Sequence, residues 1–238
     1  MELYPSGITE YRKLLKSYQK YAEKKEMRFI VNKPELRRIY LNLGRLYLKN
    51  RFYENAAAYC EKAMDIDRDP RKESKTVMGK NCISAAKIYE GCSDNEKAAE
   101  YYKKAEKLFE GNDHRLLICY SGECRVYDKA DKPSEAIGAF TEYIKARDRI
   151  CKADGSIDSM RKLLESCLSF CRFAIEKDSA KHASLMSAQA DLIALSYRLK
   201  CVSSEDYAFY GRYTKAICDI YIQLNDRYVL IKMANKYC

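Results

Sequence analysis

Lys80-Asn81-Cys82-Ile83-Ser84-Ala85-Ala86-Lys87-Ile88-Tyr89-Glu90, followed after a short polar turn by Asp94-Asn95-Glu96-Lys97-Ala98-Ala99-Glu100-Tyr101-Tyr102, reads as a pair of helices. Ala86 and Tyr89, three apart, share a face of the first helix, and Ala98 and Ala105, seven apart, share a face of the second. Alanine at such places lets two helices approach closely. The register recurs on both sides. Gly44, Tyr47, Ala56 and Ala63 keep the same spacings of three, nine and seven, as do Cys124, Tyr127, Ala136 and Tyr143, with a large residue in the last place. Cys60, Tyr102 and Phe140 stand four residues after the first alanine of each set. Repetition at fixed offsets marks stacked helical hairpins.

Working outward, Lys49-Asn50-Arg51, Cys92-Ser93-Asp94-Asn95 and Ala130-Asp131-Lys132-Pro133 are the expected turns, with Asp94 and Ser134 as helix N-caps. Ile8, Tyr11, Leu14, Leu15, Tyr18 and Tyr21 form the apolar stripe of an N-terminal helix. Beyond Gly155 the repeat decays, yet 160–175, 180–199 and 207–224 keep helical patterning, Ser203-Ser204-Glu205-Asp206 reads as a cap, and a last helix lies near 227–237. The pattern resembles the tetratricopeptide repeat. Tyr47 to Tyr89 is 42 residues and Tyr89 to Tyr127 is 38, against about 34 for that repeat, so the hairpins are long. The expectation is an all-α, TPR-like solenoid of long antiparallel hairpins: 1–155 as a twisted sheet of hairpins, and 156–238 as its continuation and a C-terminal helical bundle.

Composition narrows the function. With only 9 Gly and 4 Pro, helix breakers are scarce. No apolar run approaches the roughly 18 residues of a membrane span, and the start lacks a signal-peptide pattern, so a cytoplasmic protein is expected. Eleven cysteines without a Cys-x-x-Cys pair read as reduced core residues; Cys167, Cys171 and His182 lack the spacing of a metal site, and no metal or cofactor is expected. No phosphate-binding Gly-x-x-x-x-Gly-Lys loop occurs, and His114 and His182 have no neighbours set for acid–base work. Catalysis is not expected.

The net charge is +10, with Arg12, Lys13, Lys16, Lys20, Lys24, Lys25 and Arg28 crowded near the N-terminus against Glu23 and Glu26. Such a face attracts acidic partners or is simply solvated. Arg45 and Leu41 occupy the places where chaperone-binding tetratricopeptide proteins carry asparagine and lysine, which argues against that partner. The absence of Gly-Arg runs and RNP-type motifs argues against nucleic acid.

Residues 80–105 also resemble the soluble NSF attachment proteins (SNAPs), which carry a lysine, an Ile-Ser-x-Ala-x-Ile-Tyr-Glu helix and then an Asp-x-Glu-Lys-Ala-x-x-x-Tyr helix; Glu135-Ala136-Ile137, Ser169-Phe170-Cys171, Ala180-Lys181-His182-Ala183, Ser204-Glu205-Asp206-Tyr207 and Asp219…Leu224-Asn225 echo the family more weakly. That resemblance implies a non-enzymatic adaptor in vesicle fusion and protein transport. It would bind SNARE complexes, recruit the AAA ATPase NSF and touch an anionic membrane surface peripherally. The alternative is a generic tetratricopeptide scaffold for protein–protein interaction.

Carried onto this chain, the resemblance makes Lys80 a SNARE-facing lysine or a solvated one. Ile118 stands where the next such lysine belongs, and Arg115, one turn earlier, is its substitute. Position 76 belongs to the same SNARE-facing group; the residue there is Thr76, and the adjacent cation is Lys75. Met27, Phe29, Ile30 and Val31, flanked by Lys24, Lys25 and Lys33, form either a membrane-contact loop or a segment packed on the next helix. Asp219 and Asp226 are the ATPase-contact candidates. The ending 232–238 lacks the hydrophobic finish with which alpha-type members stimulate the ATPase.

Overall fold

A computed structural model describes residues 4–23, 33–66 and 73–224. Among them are ten helices and no strand: α1 (Tyr4–Glu23), α2 (Lys33–Lys49), α3 (Tyr53–Met64), α4 (Lys75–Gly91), α5 (Asn95–Leu108), α6 (Asp113–Lys129), α7 (Pro133–Asp154), α8 (Ile157–Glu176), α9 (Ala180–Lys200) and α10 (Ser204–Gln223). They group into two compact units, Met1–Lys132 and Pro133–Cys238. The expected last helix and the 27–31 loop lie outside the described residues.

The small residues lie where the register demands. Gly44, Ala56, Ala63, Ala86, Ala98 and Ala105 are all buried. A Cβ on Gly44 would sit 3.2 Å from the Ala56 carbonyl, so α2 and α3 meet backbone to backbone. Gly122 makes similar room for the Tyr102 ring, which a Cβ there would overlap at 2.3 Å.

One turn closes each first helix. Arg51, Ser93, Asp131 and Asp178 all take left-handed φ, between 53° and 63°. The next N–H reaches back five residues in every case: Phe52 to the Tyr47 carbonyl (3.0 Å), Asp94 to Tyr89 (3.0 Å), Lys132 to Tyr127 (2.9 Å) and Ser179 to Ala174 (2.7 Å). Asp94 caps α5 by accepting from Lys97 N–H at 3.1 Å, as expected. Ser134 does not cap α7; it lies inside the first turn behind Pro133, whose fixed φ suits the first helical position.

The fourth turn reveals a repeat the sequence reading missed. Cys171, Ala174, Ala183 and Ala190 preserve the three-nine-seven spacing, and all four are fully buried in the second unit. Alanine at the aromatic place hid it, so the register does not decay after Gly155. Gly155 itself, with φ of 65°, forms the α7–α8 turn.

Candidate interaction surface

In the first unit α2 packs on α4 and α4 on α6, whereas the α3 and α5 backbones stay apart and are bridged by the Lys97–Glu61 ion pair at 2.7 Å. First helices are therefore closer to one another than second helices, and the unit curves with its first helices inside.

Side chains hold each hairpin closed. Tyr47 stacks on Tyr59 with ring centroids 5.3 Å apart and planes within 6°, and Tyr89 stacks on Tyr101 at 5.5 Å within 3°. Both pairs join a first helix to its second and stand twelve residues apart. That offset was visible in the sequence and went unread. Cations cover the outer rings: Lys62 lies 5.2 Å from Tyr59 and Lys104 lies 4.7 Å from Tyr101. Twelve residues after Tyr127 stands Ala139, and Lys103 covers the Tyr127 ring at 5.5 Å instead.

Buried charge fastens the same unit. Arg37 on α2 donates to the Ala63 carbonyl at 3.1 Å, to the Ile66 carbonyl and to Glu73, with neither ionic side chain exposed. One guanidinium thus satisfies the end of α3 and the approach to α4. Glu90 on α4 accepts from Arg125 (3.2 Å) and Lys129 (3.0 Å) on α6 and from the Tyr102 hydroxyl (3.1 Å). Burial works against ionisation there, but these donors prevail and hold the Glu90 carboxyl below its ordinary pKa.

What remains on the first helices is a cationic stripe. Lys80, Ser84 and Lys87 lie one turn apart on α4. Arg45 of α2 donates to the Ser84 hydroxyl, and Ser84 donates to the Lys80 carbonyl at 2.9 Å, so the three cations share one side. Arg45 also donates to Asn42 at 3.2 Å, and Asn42 donates to the Tyr11 hydroxyl on α1 at 3.0 Å. Among the described residues no carboxylate pairs with Arg45, Lys80 or Lys87. Exposed Val77 and Ile118 add apolar area on α4 and α6.

The other sequence candidates are placed as follows. Thr76 is half-buried and neutral, so position 76 adds no cation; Lys75 beside it is exposed. Arg115 is half-buried with its guanidinium 5.2 Å from the Phe109 ring, which itself lies against Gly79. Asp219 is exposed on α10. Met27, Phe29, Ile30, Val31 and Asp226 lie outside the described residues. Cys167 and Cys171 are buried, their thiols pushed up to about 12 chiefly by desolvation, and Cys171 donates to the Ala183 carbonyl at 3.5 Å. His182 Nδ1 meets the Ser179 hydroxyl at 2.7 Å instead of the cysteines. Among the described residues no cluster of three or more His, Cys, Asp or Glu is arranged to hold a metal, and no helix is long and apolar enough to cross a membrane.

Comparison with known proteins agrees with this architecture. The tetratricopeptide repeat family profile matches residues 38–70 and 80–112, which are the α2–α3 and α4–α5 hairpins. A 109-residue stretch, 46% of the chain, is 31% identical to the 43 kDa receptor-associated protein of the synapse from Tetronarce californica, and spans 23% of that protein's length. The structure of BtubC from P. vanneervenii superposes with a TM-score of 0.54 at 15% identity, covering 95% of this chain and 86% of that one. A kinesin light chain of Podosopora anserina with nearly identical TPR-like repeats gives 0.53 at 15% identity, covering 86% and 93%. At that identity the two structures speak for the fold alone: an all-helical, TPR-like repeat.

Proposed function

We propose that this chain is a non-enzymatic scaffold for protein–protein interaction whose first unit holds an acidic protein segment against its first helices. The unneutralised stripe of Arg45, Lys80 and Lys87, on the inner side of a tetratricopeptide-type curve, carries the reading. Exposed cations held by a rigid scaffold speed encounter and select acidic partners more than they add raw affinity. The sequence relative's name, a receptor-associated protein, accords with a chain that works by attachment to another.

A second, narrower reading is the SNAP-type adaptor. Its favouring observations are Lys80, exposed on that stripe, and repeat steps of 42 and 38 residues, longer than the ordinary repeat. In this reading an acidic four-helix SNARE bundle lies along the first helices. The 27–31 loop meets anionic lipid, and Asp219 and Asp226 face the ATPase NSF.

One titration tests both. A poly-glutamate peptide and an assembled SNARE bundle are added to the wild-type chain and to the Arg45→Glu, Lys80→Glu, Lys87→Glu variant. Binding is expected to fall as salt rises and to weaken about tenfold or more in the variant, since several surface charges are inverted. Affinity indifferent to both changes removes this stripe from the site. If the peptide binds and the SNARE bundle with NSF does not, the scaffold reading stands and the SNAP reading falls.

A further inference from the structure

The first helices of the first unit present two kinds of surface along their length. In the repeat register Arg45, Lys87 and Arg125 occupy one place on α2, α4 and α6. The row towards the C-terminal ends of these helices is therefore cationic throughout, with Arg125 also held by Glu90. Two turns towards the N-terminal ends the corresponding row is Arg38, Lys80 and Ile118, and one turn further it is Glu35, Val77 and Arg115. Val77 is 42% exposed and Ile118 46%. Lys80 thus has apolar neighbours on two sides, Val77 one turn away on its own helix and Ile118 at the matching place on the next. Charge at this end is mixed. Arg38 pairs with Glu35, Arg115 is half-buried against the Phe109 ring, and exposed Lys75 has Asp113 at its place on α6.

We infer that the acidic protein segment carries an aliphatic side chain at one end, which packs on Val77 and Ile118 while its carboxylates face Lys80, Lys87 and Arg45. This rests on the acidic-segment reading above and gives it a specificity. An exposed carboxylate–lysine contact alone is worth little, because water screens it. An aliphatic group laid over Val77 and Ile118 takes their apolar area out of water. It also shuts solvent away from Lys80, and the ionic contact beside it grows stronger. A uniformly acidic segment gains neither, since its carboxylates would lose hydration against apolar surface at Val77 and Ile118. Charge fixes which end is which: the acidic part belongs on the all-cationic row of Arg45 and Lys87, and the apolar part belongs where Glu35 and Asp113 dilute the positive charge. Position 77 to position 87 on α4 spans about 15 Å, so a single short segment reaches both ends.

Fluorescence anisotropy on the full chain tests this with two labelled peptides of equal charge, a run of glutamates flanked at both ends by leucine and the same run flanked by serine. The wild type is expected to bind the leucine peptide about fivefold tighter, which corresponds to roughly half the transfer free energy of a buried leucine. In the Val77→Asn, Ile118→Asn variant that ratio should fall towards one. Ile118→Lys, which extends the cationic surface, should lower it as well, because the serine peptide gains. Circular dichroism checks that each variant keeps its fold. Salt-dependent binding of both peptides with equal affinity to the wild type would overturn this inference and leave the acidic-segment reading standing. A leucine preference that survives in the Val77→Asn, Ile118→Asn variant would put the aliphatic contact elsewhere and overturn it too. Binding of neither peptide would overturn both.

Discussion

At the scale of the residue, Glu123 is the most consequential side chain that sequence reading passed over. It lies on α6, 5% exposed, and its Oε1 has no hydrogen-bond partner. Desolvation, aided by the Glu106 carboxylate and opposed by Lys103, pushes its carboxyl up to about 7. In the unfolded chain the same carboxyl titrates near 4.3. A raised carboxylate pKa means the folded state binds the proton more tightly. Its stabilising effect is therefore present below the unfolded pKa and is lost as pH rises to 7 and beyond. Glu123→Gln, which keeps the shape without the charge, should stabilise the protein by on the order of 2 kcal/mol at pH 8 and by little at pH 4. Chemical denaturation at the two pH values checks this; an equal effect at both would show that ionisation of Glu123 is not what costs stability. Nothing local in Gly122-Glu123-Cys124 announces such burial, because it arises from α5 closing over α6.

At the scale of the element, the hairpin was legible and its variations were not. Small residues in register gave α2–α3 and α4–α5 directly, since a missing side chain is a local signal with a tertiary consequence. Packing that depends on what fills a space left fainter marks. Ala174 replaced the aromatic and concealed the α8–α9 repeat, although Cys171, Ala183 and Ala190 kept their places. The stacked tyrosines were hidden for the opposite reason: Tyr59 and Tyr101 look like any helix-surface tyrosine until the partner helix supplies a ring. The left-handed turns at Arg51, Ser93, Asp131 and Asp178 carry no glycine to betray them; their sequences read only as polar. Ala98→Leu probes the hairpin contact itself. With Ala98 fully buried, the added atoms have no free volume, and thermal unfolding should show a loss on the order of 1–3 kcal/mol. A thermally neutral variant would mean that α4 and α5 do not meet at this alanine.

At the scale of the whole molecule, the two units divide the surface chemistry. The first unit carries an unneutralised cationic stripe on its first helices, and the second exposes Leu185, Leu192 and Leu199 on a second helix. Net charge was legible from composition, but its arrangement required knowing which lysines are spent internally. Lys129 and Arg125 are spent on Glu90, and Lys97 on Glu61 at 2.7 Å, whereas Lys80 and Lys87 are not. Legibility fails there for a physical reason: a salt bridge between helices some 35 residues apart leaves no trace in local spacing. Lysine footprinting of the chain bound to an acidic helical partner tests the central claim most directly. An amine-reactive label should lose access to Lys80 and Lys87 on the first helices while Lys62, Lys104 and Lys107 on the second helices stay reactive. Protection of the second-helix lysines with Lys80 and Lys87 still open would contradict the account.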